Sequence, residues 1–221
     1  MLVDAALGHT GRMAFLFTIL GRGRVGRALA SAWADRVALM PGEACPEGLV
    51  LLALPDRELE AASRRFPGRC VHLSGSIHLE GVPSAHPLTS FDGEPADWTG
   101  TPLGLTGPVP EVVVGAFMVL GFLPFQLPPE RKALYHACAV LTSSHSSALW
   151  LGAAALLAQA GVALPGRGLI PLVEATVRNI ERHGAGGRTG PFVRGDAATI
   201  ARDAAALPEP WRDIFLRLGG L

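Results

Sequence analysis

The sequence predicts a doubly wound, parallel α/β sheet followed by an all-helical region, with the boundary at Pro128. Three observations carry this. An apolar run from Phe15 to Leu20 meets a glycine turn, Gly21-Arg22-Gly23-Arg24-Val25-Gly26, which leads straight into the helix-forming stretch Arg27 to Trp33. Apolar strand-like runs and a helix-like run then alternate as far as Ser76, the order of parallel strands joined by right-handed crossovers. Past Pro128 the remaining patterns are all helical.

The glycine turn has a physical reason to sit where it does. The first glycine permits the tight turn, the second lets the backbone approach a pyrophosphate, and the third allows close packing of helix on strand. The helix start then offers free N–H groups to phosphate charge. Gly21, Arg22, Gly23, Arg24, Val25 and Gly26 are therefore candidate cofactor-binding residues, and a plain tight turn is the alternative.

Val37 to Met40 reads as a second strand and Gly48 to Leu54 as a third, apolar enough to be covered on both faces. Between them only about eight residues are available, fewer than the roughly ten to twelve of a crossover unit, so no helix is expected there and the adenosine side of a nucleotide pocket is abbreviated. Arg57 to Phe66 reads as a helix stopped by Pro67-Gly68. Cys70 to Leu73 is the next strand, ending in Ser74-Gly75-Ser76. Val82 to Pro110 is rich in Pro, Gly, Thr and Asp, with Pro102 to Thr106 as an additional strand. Glu111 to Leu120 then reads as a helix and Phe122 to Leu127 as the final strand. Pro128-Pro129-Glu130 opens a long helix to about Gly161, in the N-terminal position that proline favours. Helices over 168–183, 196–207 and 209–218 complete the chain, the first two separated by the glycine-rich stretch 184–190.

Composition narrows the function classes. Lys plus Arg equals Asp plus Glu, 19 against 19, so no net charge draws the protein to nucleic acid, and no cluster mixes basic with aromatic residues. Lys132 is the only lysine. Cys45, Cys70 and Cys138 form no CxxC pair, which points away from a disulfide framework or a zinc site and towards a reducing cytoplasm. Residues 1–13 lack the apolar core of a signal peptide and read as an extension or a start placed too early. The most apolar internal run, Ala148 to Ala158, is too short to span a bilayer.

Four constellations carry candidate chemistry. Leu54-Pro55-Asp56 ends a predicted parallel strand, where open α/β sheets bind ligands; it lines the cofactor or caps the following helix. Ser74, Gly75 and Ser76 lie on the same sheet edge. His86 opens the segment His86-Pro87-Leu88-Thr89-Ser90-Phe91. The long helix carries His136, Ser143, Ser144, His145 and Ser147, with 136, 143 and 147 on one face. Its imidazole is suited to protonating a carbonyl oxygen during hydride addition, and a buried structural histidine is the alternative. In the glycine-rich segment before the penultimate helix, Asp196 is a candidate N-cap and Arg194 a candidate anion-binding guanidinium. Asn179 and Thr189 join them as candidate substrate contacts.

Taken together, GRGRVG, LALPD, HPLTSF, YHACAVLTSSHSSAL and RTGPFVRGDAAT resemble bacterial Rossmann-like proteins with a DUF2520 domain, over nearly the whole stretch from Phe15 to Leu207. The resemblance implies a nicotinamide-binding Rossmann-like domain over 14–127. It also implies a helical domain over 128–221, similar to the C-terminal domains of 6-phosphogluconate dehydrogenase, pyrroline-5-carboxylate reductase and ketopantoate reductase. It further implies a homodimer through those helices and a site between the domains. NADP is the more usual cofactor of the related reductases, with NAD the alternative, and ketopantoate reduction is the most concrete activity implied.

The chain departs from the relatives in three places. Ser143-Ser144 stands where they carry Ser-Asn, Gly187-Arg188-Thr189 replaces the usual Ala-Leu-Thr, and the cofactor-reading segment is reduced to Pro41-Gly42-Glu43. Glu43 suits ribose hydroxyls and NAD, whereas Arg22 and Arg24 suit the extra phosphate of NADP. The expected function is an NAD(P)-dependent reductase of a small keto or imino acid. Its proton would come from His136 or His86, with Ser144 beside them, and Arg194 and the helix hydroxyls would orient the substrate. A catalytically silent nucleotide-binding or scaffold dimer is the alternative.

Overall fold

A computed structural model describes residues 16–221 of the chain, and the reading of residues 1–13 lies outside them. The described chain divides into two compact units that part between Ser146 and Ser147.

The first unit is built on a seven-stranded sheet. In chain order the strands are β1 (Phe17–Leu20), β2 (Val37–Met40), β3 (Val50–Leu52), β4 (Cys70–His72), β5 (Ser84–Pro87), β6 (Pro102–Thr106) and β7 (Leu123–Gln126). Their order across the sheet is β2-β1-β3-β4-β5-β6-β7. The order reverses between β1 and β3, which makes their C-terminal ends the place for a ligand. Strands β1 to β5 are mutually parallel.

Strand β6 turns back antiparallel to β5, and β7 follows β6 in parallel. The sheet is therefore mixed rather than wholly parallel. The cause is local: residues 88–101 hold no crossover helix, and neighbouring strands joined without a crossover pair antiparallel. Helix α3 (Glu111–Val119) supplies the crossover that β6 and β7 need.

Strand alternation sends side chains to two cores. Phe17, Ile19, Leu51, Val71 and Leu103 pack with Trp33 of helix α1 (Arg24–Trp33) and Phe117 of α3. Leu20, Val50, Leu52 and Cys70 pack on the other face with Leu59 and Ala62 of helix α2 (Asp56–Ser63), and with Phe66 just beyond it. Two of the aromatic side chains on the first face lock edge to face: the Trp33 ring lies 5.0 Å from that of Phe117, and its indole N–H donates to the Ala116 carbonyl at 2.9 Å.

No helix forms between β2 and β3, as the spacing required. That loop is instead clamped from the end of α2. Arg65 donates to the carbonyls of Gly42 and Glu43 at 2.7 Å each and also to that of Ala44, while Arg69 donates to those of Pro46 and Gly48.

A continuous helical stretch, Pro129–Gln159, carries the chain out of the sheet. At 31 residues it is long and apolar enough to cross a membrane by length and composition, well beyond the apolar run 148–158. Its first part, α4 (Lys132–Val140), is nevertheless fastened to the sheet by a buried lysine. A π-helical segment, Leu141–His145, comes next, and then α5 (Ser146–Gln159).

The second unit holds α5, α6 (Ile170–His183), a short α7 (Pro191–Arg194), α8 (Ala197–Ala206) and α9 (Trp211–Gly219). Two glycines set its close approaches. A Cβ on Gly152 would lie 2.0 Å from the Trp211 ring, and one on Gly219 would lie 2.1 Å from that of Phe192. Asp196 is the N-cap of α8, its carboxylate accepting from the Thr199 N–H at 3.1 Å, as the sequence suggested.

Candidate functional site

Two clefts of the first unit gather eight of the sequence-predicted residues: Gly21, Arg22, Gly23, Leu54 and Pro55 in one, and His86, His136 and Ser143 in the other. The larger, about 700 Å³, runs from Gly21, Arg22 and Gly23 past Gly42 and Glu43 to Leu54, Pro55, Arg57, Glu58 and Arg65. The three glycines of the turn differ in their surroundings. A Cβ on Gly21 would lie 2.2 Å from the Ala53 carbonyl oxygen, and one on Gly26 would lie 1.9 Å from that of Gly21. A Cβ on Gly23 would meet nothing within 4 Å. Two glycines are thus required by packing, and the middle one leaves backbone open to the cleft, the division of roles that a pyrophosphate needs. No side chain caps the start of α1, and no acidic residue stands in its first turn, so its N–H groups are available to an anion.

Arg24 and Val25 form the first turn of α1 and do not line the cleft. Asp56 is the first residue of α2 rather than its cap; Pro55 holds the N-cap position. The carboxylate still favours that helix end through the helix dipole.

The second cleft, about 340 Å³, is lined by His86, Leu88, Thr89, Ser90, Tyr135, His136, Cys138, Thr142 and Ser143, among others. Strand β5 presents His86, and its imidazole lies flat on Gly75, where a Cβ would stand 2.8 Å from three ring atoms. His86 Nδ1 shares a hydrogen bond of 2.9 Å with the Tyr135 hydroxyl, and its ring meets that of His136 edge-on at 6.2 Å. Burial, with His136 and Lys132 nearby, pushes the His86 pKa down to about 4. Burial pushes the Tyr135 phenol up to about 12. Both groups are neutral at pH 7.

Lys132 lines neither cleft and ties α4 to the sheet. It is 1% exposed, and its ammonium donates to the Ser74 carbonyl at 2.8 Å and to Ser84 Oγ at 2.7 Å. Burial pulls its pKa down to about 8 against the opposing attraction of Asp56. Ser74 is equally committed. Its hydroxyl accepts from the N–H groups of Ser76 and Ile77, and its own N–H donates to His72 Nδ1 at 3.2 Å. The Ser74-Gly75-Ser76 turn therefore builds the site: it seats Lys132 on one side and His86 on the other.

Lys132, Tyr135 and His136 are spaced i, i+3 and i+4, so one face of α4 carries all three. Sequence reasoning picked only His136. The signal for the other two was rarity, since Lys132 is the single lysine among 19 basic residues and Tyr135 the single tyrosine.

The helix hydroxyls divide at the π-helical segment. Ser143 lines the second cleft with His136, although its hydroxyl donates to the Ala139 carbonyl at 2.7 Å. Ser144 donates to the Val140 carbonyl and lies outside that lining. The extra residue in a π turn rotates every later position about the helix axis, and Ser147 already belongs to the second unit. Asn179, Thr189, Arg194 and Asp196 are also in the second unit. There the Asn179 backbone carbonyl packs so close to Gly187 that a Cβ on that glycine would lie 2.3 Å from its oxygen, and Arg194 closes α7 in an exposed position.

Comparison with known proteins agrees with this architecture. The fold matches a Bacteroides fragilis protein proposed to be an NADP oxidoreductase, with a TM-score of 0.74, 18% identity, and coverage of 92% of this chain and 95% of that one. A Thermotoga maritima protein matches with a TM-score of 0.71, 19% identity, and 92% and 95% coverage. A reductive aminase from Aspergillus terreus, in complex with NADPH and ethyl levulinate, matches with a TM-score of 0.61, 15% identity, and 92% and 90% coverage. No curated protein matches the sequence. The pattern of the family described as Domain of unknown function (DUF2520) matches residues 101–220, more than half of the chain. With its Rossmann-like sheet and helical C-terminal region, the chain belongs to the DUF2520 family.

Proposed function

We propose that the protein is an NADPH-dependent reductase of a small keto or imino acid, with a ketopantoate-like substrate as the first candidate. The observation that carries this reading is the glycine turn, closed by packing at Gly21 and Gly26 and open at Gly23. The open backbone and the uncapped start of α1 fit a dinucleotide pyrophosphate. Bound there, the nicotinamide supplies a hydride. Arg22, Arg57 and Arg65 against Glu43 and Glu58 leave the adenosine cleft with one surplus positive charge, which favours the 2′-phosphate of NADP over the bare ribose of NAD. Similarity in fold to the NADPH-bound reductive aminase supports the same class of chemistry.

The second cleft would receive the substrate. His86, Tyr135, His136, Thr89, Ser90 and Ser143 offer donors and acceptors around a polarised C=O or C=N bond.

The active form in this reading is a homodimer through the helices of the second unit, working in the reducing cytoplasm. The support is exposed apolar surface: α5, α6 and α9 bury none of their residues, and Leu151 and Leu172 are 72% and 66% exposed. A catalytically silent dimer is the second reading, favoured by the helix-free, arginine-clamped loop on the adenosine side. Purified protein mixed with NADPH and a panel of 2-oxo acids, ketopantoate first, and 1-pyrroline-5-carboxylate separates the two. The proposal expects substrate-dependent NADPH oxidation, and NADPH binding without turnover on any of them would favour the silent dimer.

A further inference from the structure

The reductase reading leaves open which group delivers the proton. His86 and His136 were the sequence candidates, and the geometry points elsewhere. We propose that Tyr135 is the proton donor to the substrate heteroatom, with His86 behind it as the group that re-protonates it. The inference rests on the reductase reading and on three observations. Tyr135 and His86 line one cleft and share a 2.9 Å hydrogen bond. His86 is fixed from behind, its ring pressed on Gly75. Tyr135 is fixed through its own helix, because Lys132, one turn earlier, is bolted to Ser74 and Ser84.

The acid–base order comes from the surroundings. His86 is faced by Tyr135 and His136 and feels the charge of Lys132, so burial and positive neighbours keep its imidazole neutral at pH 7. A neutral imidazole is a weaker acid than a phenol, which leaves Tyr135 as the better donor of the pair. In the step, hydride adds to the carbon of C=O or C=N and the π electrons move to the heteroatom. The Tyr135 O–H bond breaks as the new heteroatom–H bond forms. Nε2 of His86 takes a proton from solvent as its Nδ1 proton passes to the phenolate, and exchange of the ring proton with solvent restores the Nδ1–H tautomer, so one hydride and one proton are consumed per turnover. An N–H donor aimed at the phenolate stabilises the charged form.

Because Tyr135 is the only tyrosine, biosynthetic replacement of all tyrosine by a fluorotyrosine changes this position alone and gives it a ¹⁹F signal and a more acidic phenol. The ionisation midpoint of that phenol is read by NMR in the full chain without substrate. It is expected to rise in His86→Ala by about one unit, the worth of one hydrogen bond to a charged group. It is expected to return towards the parent value in His86→Asn, which keeps an N–H near the Nδ1 position. Tyr135→Phe should lower kcat at least tenfold with NADPH affinity unchanged, and the alkaline limb of the fluorinated enzyme's pH profile should fall together with the ¹⁹F midpoint. A midpoint indifferent to His86, or Tyr135→Phe with parental kcat, overturns the relay while the reductase reading stands. Coupled ionisation in a protein that binds neither NADPH nor NADH overturns the reductase reading and the relay with it.

Discussion

Lys132 Nζ donates to Ser84 Oγ at 2.7 Å, fastening the first residue of α4 to the first residue of β5, 48 positions earlier in the chain. The same ammonium holds the Ser74 carbonyl, so one side chain ties together the ends of two strands and the helix that carries Tyr135 and His136. Lys132→Met keeps much of the volume and leaves one buried and one half-buried acceptor without their donor. At about 1–3 kcal/mol per stranded group, urea denaturation should show a loss of about 2–6 kcal/mol. A loss under about 1 kcal/mol would contradict the latch.

The glycine turn separates folding from binding. Gly26→Ala places a methyl group 1.9 Å from the Gly21 carbonyl oxygen and should lower the thermal midpoint by several degrees. Gly23→Ala faces open space in the protein, so its melting temperature should stay near the parent's. It should still weaken NADPH binding by about tenfold or more, since the methyl group occupies the approach of the pyrophosphate. Fluorimetry of the two variants checks this; parental NADPH affinity in Gly23→Ala would place the nucleotide elsewhere.

Acid should destabilise the protein through two histidines. Burial holds the His72 pKa down to about 3, with Lys132, His78 and His86 adding to the effect, and that of His86 down to about 4, against an ordinary 6.5. As the pH falls through 6.5 the unfolded chain takes up protons before the folded one. Stability that is complete above 6.5 is therefore lost progressively down to about 4 for His86 and about 3 for His72. Each contributes at most about 1.4 kcal/mol per pH unit. Urea midpoints measured across that range should fall with pH, and His72→Gln should flatten the slope by one proton. An unchanged slope in that variant would show that His72 is charged when folded.

The exposed apolar helices predict self-association. Leu151 on α5 and Leu172 on α6 stand 72% and 66% exposed, and exposed apolar surface of this kind is the mark of an interface. Light scattering should find a dimer at micromolar concentration, and Leu151→Glu combined with Leu172→Glu should yield a folded monomer. A parental monomer would contradict the assignment.

Much of the fold was legible because it rests on local signals. Val37–Met40 and Pro102–Thr106 are strands over the expected residues, the glycine turn joins β1 to α1, and the missing crossover after Met40 is a consequence of chain length alone. The reversal of β6 was not legible, since strand direction depends on how residues 88–101 travel and not on the pattern within the strand. The site was legible in outline only. His86 and His136 were visible as motif residues and do line one cleft. Tyr135 and Lys132 were not legible as site residues, because burial of a single ammonium depends on carbonyl and hydroxyl partners 58 and 48 residues away. The π-helical segment, set by hydroxyl-to-carbonyl bonds such as Ser146 to Leu141 at 3.0 Å, broke the regular spacing that had placed Ser144 and Ser147 with His136.

The most direct test of the account is an equilibrium titration of the purified full chain with NADPH and, in parallel, with NADH, followed by nicotinamide fluorescence and by quenching of the four tryptophans. Saturable binding with NADPH the tighter ligand is the predicted result. Binding of neither nucleotide would contradict the reductase assignment.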